Sequence, residues 1–196
     1  MKTLLLAAIL FSGAALARDA AAPQSFPGYT GDARLKFPAE YREWIYLTSG
    51  IDMSYSPMSG MADHSMFDNV FVNPESYKSF LETGTWPDKT VLMLEFRVAK
   101  TKGSINRTGH FQTSDVMGRE AHVKDEARFP GKWAFFEFED EISGKLVPTG
   151  AACYSCHAEH GAVDTTFVQF YPTLLDIAKK KGTLSPAYVK ETAGTK

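Results

Sequence analysis

The chain has 196 residues, room for one ordinary domain or two small ones. Hydrophobic side chains make up 44% and charged ones 22%, enough apolar material for a core, which excludes general disorder. A net charge of −2, from 21 basic and 23 acidic residues, excludes a protein built to grip nucleic acid, and two cysteines exclude a disulfide-stapled scaffold.

The N-terminus reads as a secretory signal. Lys2 supplies the positive end, Leu4 to Phe11 is unbroken apolar, and Ala15-Leu16-Ala17 fits a small-x-small cleavage pattern, so residues 1–17 are expected to be removed. The alternative, a retained anchor, is opposed by the short apolar stretch and by Arg18 and Asp19 directly after it. The mature protein is thus expected in the periplasm or outside the cell, with no membrane attachment. Residues 18–36, rich in Ala, Pro and Gly, read as a flexible leader, residues 37–185 as one domain, and 186–196 as a fraying tail.

Within the domain, strand character appears at Trp44–Thr48, at Phe67–Val72 with Phe67, Asn69 and Phe71 on one face, at Thr90–Val98 and at Trp133–Phe138. Gly109 to Val123 has room for one or two more strands. Asn73, Pro74 and Gly84 mark the cap, first turn and stop of a helix whose Tyr77, Phe80 and Leu81 fall at helical spacing. A second helix is expected over about 150–160 and a third from about Thr173 to Lys181, ending at Gly182; Lys179–Lys181 reads as a solvated last turn favoured by the helix dipole. Strands in runs with a few helices imply an α+β fold with a mostly antiparallel sheet.

Cys153-Tyr154-Ser155-Cys156-His157 is C-x-x-C-H, the attachment signature of c-type haem. Two thiols at this spacing reach two vinyl groups on one edge of a porphyrin, and the next residue places an imidazole beneath the iron. The competing readings are a structural zinc site, for which His160, His110 and His122 would have to supply ligands, a thioredoxin-like redox pair, and a plain disulfide. With haem c, attached near the C-terminus through Cys153 and Cys156, His157 is the axial metal ligand.

The sixth position separates two functions. An electron carrier fills it, commonly with Met; a catalyst or gas binder leaves it open. Every Met precedes the motif, so a Met ligand would have to come from the strands or their loops: Met58, Met61, Met66 or Met93. His160, His110, His122 and His64 are the histidine rivals. Each of these residues also has an ordinary packing or surface role.

Further matches accumulate along the chain: Tyr41-Arg42-Glu43-Trp44, Val70-Phe71-Val72-Asn73-Pro74-Glu75-Ser76-Tyr77, Thr83-Gly84, Asp88-Lys89-Thr90-Val91, Gly118-Arg119-Glu120-Ala121-His122-Val123-Lys124, Trp133-Ala134-Phe135-Phe136 and Phe167-Val168-Gln169-Phe170-Tyr171-Pro172. In this order and spacing they resemble the cytochrome P-460 family and its relatives, the cytochromes c′-beta. The resemblance implies a mostly antiparallel β fold, a homodimer, and one five-coordinate haem with an open distal face. Small nitrogen ligands, hydroxylamine and nitric oxide, follow from it too, with electrons passing to a redox partner cytochrome or another acceptor. It implies a distal carboxylate that relays protons, here Glu120, whose alternative is an exposed strand residue. Family enzymes also cross-link a lysine to the porphyrin. The matching position here is Leu94, which has no amine, and Lys78, Lys89 and Lys100 lie elsewhere in the alignment. Leu94, with Leu92 and Phe96 on the same face and Phe67 from the neighbouring strand, is instead expected to cap the haem in the c′-beta manner. A simple six-coordinate electron-transfer cytochrome is the alternative function.

Overall fold

The computed structural model describes residues 25–53 and 65–194. The signal segment, the first part of the leader, Met58, Met61 and His64 lie outside the described residues. The chain folds as α+β around one antiparallel sheet. In chain order the strands are β1 (Leu35–Lys36), β2 (Ile45–Ile51), β3 (Met66–Val72), β4 (Val91–Lys100), β5 (Phe111–Lys124), β6 (Trp133–Phe138) and β7 (Ser143–Leu146). The helices are α1 (Pro74–Thr83), α2 (Ala152–His160), α3 (Leu175–Lys181) and α4 (Pro186–Ala193). The spatial order of the sheet is β1-β7-β6-β5-β4-β3-β2.

Period-2 patterning fixes the two faces of the sheet. On one face Leu47, Val72, Leu92 and Trp133 pack with Phe80, Trp86, Val168, Leu174 and Ala178 from the helices and connections. On the other, Val91, Met93, Ala121, Val123, Phe136 and Phe138 pack with Leu35, Tyr41 and Trp44 from the N-terminal segment. Residues 25–36, read above as a leader, therefore contribute to this second layer from Ser25 onward. Leu35 is fully buried, Tyr29 and Phe26 pack beside it, and β1 hydrogen-bonds to β7. Composition favoured a loose segment; the apolar side chains spaced through it supply a lid for an otherwise open sheet face. The C-terminal segment likewise folds, as α4, with the Ser185 hydroxyl accepting from the Tyr188 amide as an N-cap and Pro186 in the first turn.

Helix α1 begins after Asn73 and stops at Gly84 (φ 77°), as the sequence predicts. The Asn73 side chain does not cap the helix. Its Oδ1 accepts from the Val91 amide (2.9 Å) and its Nδ2 donates to the Lys89 carbonyl (3.3 Å), so it fastens the start of β4 to the start of α1. A Cβ at Gly84 would lie 2.7 Å from the Lys181 Cβ, so glycine here serves both the left-handed turn and the contact with α3.

Candidate functional site

Between the helix-covered face of the sheet and α2 lies a cavity of about 830 Å³, within the range of cofactor sites. The strands behind its sheet wall align in rows by register, and all but Val72, Gly118 and Glu137 of these rows line the cavity. One row reads Val72, Leu92, His122, Phe135 across β3 to β6; the next reads Val70, Leu94, Glu120, Glu137; the third reads Asp68, Phe96, Gly118 across β3 to β5. The opposite wall carries Cys153, Cys156 and His157 of α2, with Phe167, Phe170 and Tyr171.

The motif residues are thus assembled on one helix facing one cavity. Cys153 and Cys156 are free thiols. The His157 Nδ1–H donates to the Thr165 carbonyl at 2.7 Å, which leaves Nε2 as the unengaged nitrogen. Burial pushes this imidazole below its ordinary pKa, against a smaller opposing effect of the Thr165 carbonyl, which favours the neutral form that binds a metal. The ring is clasped by aromatics: Phe167 stacks on it at 4.1 Å, and Phe135 and His122 meet it edge-on at 4.7 and 4.9 Å.

Two local features permit this clasp. The chain doubles back straight after α2, where a Cβ on Gly161 would sit 2.6 Å from the His157 carbonyl oxygen and 2.9 Å from Thr165 and Thr166 backbone atoms. Only glycine lets the 161–166 turn close on the helix end and bring Thr165 to His157. Tyr154, an unspecified position of the motif, donates its hydroxyl to the Val147 carbonyl (3.0 Å) and accepts from the Phe135 amide (3.2 Å), tying α2 to β6 where β7 has ended. Sequence reading missed Thr165, Gly161 and Tyr154. A glycine just after the helix was the one available signal.

The other predicted residues divide. Leu94 and Glu120 are cross-strand neighbours on the cavity wall. Burial, then the charges of Glu137 and Asp68, hold the Glu120 carboxyl above its ordinary range. Phe67 is a correction: β3 turns Met66, Asp68 and Val70 to the cavity, so Phe67 shares the opposite face with Asn69 and Phe71 and lines no part of it. The alternation was read correctly, but which set faces the cavity is decided by the packing of α2, which lies far away in the chain. Of the methionine ligands considered, Met66 and Met93 both border the cavity, but Met93 is fully buried in the core of the opposite face. His122, on the sheet wall, meets His157 edge-on and stacks on Phe135 at 4.0 Å. His160 is on the outer side of α2, 3.1 Å from Glu191, and His110 is exposed. Among the described residues no lysine lines the cavity: Lys89 pairs with Asp125 at 2.5 Å, and Lys100 ends β4 outside it. No three His, Cys, Asp or Glu side chains among them form a group able to hold a metal, which leaves the zinc reading without ligands.

The donor set fits haem c. Two free thiols and an oriented imidazole converge from α2 on an apolar cavity of cofactor size, with no competing closed metal cage among the described residues. Fold and site together define a c-type cytochrome. The sequence model of one family, Cytochrome P460, matches residues 38–168, well over half of the chain, and the protein belongs to that family. Haem c is the cofactor this membership brings. No curated protein matches the chain.

Proposed function

We propose that this cytochrome binds small nitrogen ligands at an open iron position and oxidises hydroxylamine, with Glu120 as proton acceptor. Cys153 and Cys156 would hold a single haem c by thioether bonds, and His157 Nε2 would bind its iron. Bound there, the group supplies an iron that takes a small ligand and passes electrons to an external acceptor such as a second cytochrome. The chain's residues do the rest. Thr165 orients His157, Leu92, Leu94 and Phe96 present apolar surface that disfavours water and anions, and Glu120 takes a proton from the bound ligand.

The observation that carries this reading is the position of Glu120: a largely buried carboxyl on the wall of the cavity that His157 enters, raised in pKa and directly beside Leu94. Glu120→Gln keeps the shape and removes the base. Hydroxylamine-dependent reduction of an artificial acceptor should fall about 100-fold, with the haem spectrum and nitric oxide affinity unchanged. Equal rates in the two proteins would exclude Glu120 as the base.

Leu94 favours a second reading, a nitric oxide binder without turnover, because it makes this stretch of wall apolar and offers no amine for a cross-link. Optical spectra separate the readings. A high-spin ferrous form with an ordinary pyridine haemochrome supports an open, uncross-linked iron. A low-spin six-coordinate form lost in Met66→Ala would instead make this an electron carrier. Export and pairing into homodimers complete the proposal. A mature N-terminus at Arg18 and a dimeric mass under native conditions are their readouts.

A further inference from the structure

We propose that Asp68 is a second proton acceptor of the cavity, acting with Glu120 as a pair of interacting carboxyls on one wall. The inference rests on the reading of this cavity as the reaction site, and it deepens that reading. Removing two electrons from hydroxylamine to give nitroxyl releases two protons, while the electrons go to the external acceptor. One carboxylate takes one proton; a second is required if neither is to leave before the step is complete.

The sequence placed no function on Asp68. In the structure β3 turns it into the cavity, opposite Phe96 and one row from Leu94 and Glu120. Its Oδ1 is buried and has no hydrogen-bond partner among the described residues. A structural carboxylate in this sheet looks different. Glu95, on the other face, is gripped by Tyr41, Arg42 and Arg97. Burial raises the Glu95 carboxyl, but the hydrogen bonds from these three hold it down at about 2. Burial, then the charge of Asp52, pushes Asp68 up to about 6. The same bare sheet geometry thus yields one carboxyl that cannot take a proton near neutrality and one that can.

The titratable groups that share the cavity with Asp68 are carboxyls apart from Cys153, Cys156, Tyr171, His122 and His157, with His110 beside Asp52. From the end of β2 comes Asp52, bound to the Ser65 hydroxyl (2.6 Å) and the Met66 amide (2.8 Å), with His110 near it. From β4 come Phe96 and Leu94; from β5, Glu120, itself facing the exposed Glu137 of β6; and from α2, Cys153 and His157. Among the described residues no arginine or lysine lines the cavity to neutralise Asp68. Two carboxyls that feel each other in an uncompensated site titrate in two steps, so when both are ionised they take up two protons one after the other.

The test reads the carboxyl without turnover. The carbon monoxide complex of the ferrous holoprotein is titrated from pH 4 to 9, following the C–O stretch. The parent should show a step near pH 6. Asp68→Asn should lose it, Asp68→Glu should keep a step, and Glu120→Gln should retain the Asp68 step at lower pH. Infrared pH-difference spectra of the holoprotein without ligand should show a protonated-carboxyl band that disappears in Asp68→Asn. Hydroxylamine turnover in Asp68→Asn should fall about tenfold with its pH profile losing the limb near 6, while nitric oxide affinity stays within about twofold. Identical titrations in the parent and Asp68→Asn, with the same carboxyl band, would overturn the proposal and leave the role of Glu120 standing. A parent that titrates as expected but never oxidises hydroxylamine would overturn the functional reading and leave Asp68 as a titrating wall of a ligand site.

Discussion

Glu95 and Asp68 lie on neighbouring strands and opposite faces; burial raises both, and only at Glu95 do hydrogen-bonding partners reverse it. For Glu95 the folded carboxyl sits below its ordinary value of 4.5, at about 2. Its stabilising contribution is therefore present above about pH 4.5 and is lost as the pH falls toward 2, where the folded form must also take up the proton. Glu95→Gln removes the negative charge and one of the two acceptor oxygens that Arg42 and Arg97 share, and the sheet should lose about 2–4 kcal/mol at pH 7. The loss should shrink toward pH 2; urea unfolding at the two pH values measures it. A variant equally destabilised at both would show that shape, and not charge, matters at this position.

At the scale of elements, the last turn of α2 and the chain that follows it form the support of the site. Gly161→Ala drives a methyl into backbone on two sides. The cost is expected at about 1–3 kcal/mol, and the displaced Thr165 carbonyl should free His157 Nδ1. The loss should appear as a lowered melting temperature and a changed iron–histidine stretch, whereas Gly150→Ala, in open space, should change neither. Strands β3, β4 and β6 were readable because each carries an alternating or aromatic run of six residues or more, as in Trp133–Phe138, where the expected bounds are the observed ones. Strands β1 and β7 were not. Leu35-Lys36 and Ser143–Leu146 have no strand signature of their own and exist only by pairing with each other and with β6. Helix α4 was readable, since Ser185-Pro186 is a helix-start signal, but its small polar sequence suggested a frayed end. The site divides in the same way. Cys153, Cys156 and His157 are contiguous and legible. Asp68, Thr165 and the true face of Phe67 depend on contacts between segments far apart in the chain.

At the scale of the whole molecule, the cavity lies between the sheet and α2, and its filling bears on stability. Apolar wall residues such as Leu94 and Phe96 gain further contacts when a cofactor lies against them. Protein produced without haem attachment should therefore melt at least about 5 °C lower than the holoprotein, at roughly 2–4 °C per kcal/mol for a chain of this size. Calorimetry on the two forms decides it, and coincident melting would mean that the cavity walls support one another unaided. Among the described residues no helix is long and apolar enough to cross a membrane.

The bond from His157 to the Thr165 carbonyl has an effect on how the protein senses its surroundings. A main-chain carbonyl has no proton to gain or lose across the physiological range, so the basicity it imposes on the imidazole is fixed. The sheet wall is the reverse: Asp68 and Glu120 change charge with the medium. Acidity of the compartment is thus registered by one side of the cavity and not by the other. On the proposed reading His157 would serve as an invariant reference against which the sheet side is tuned.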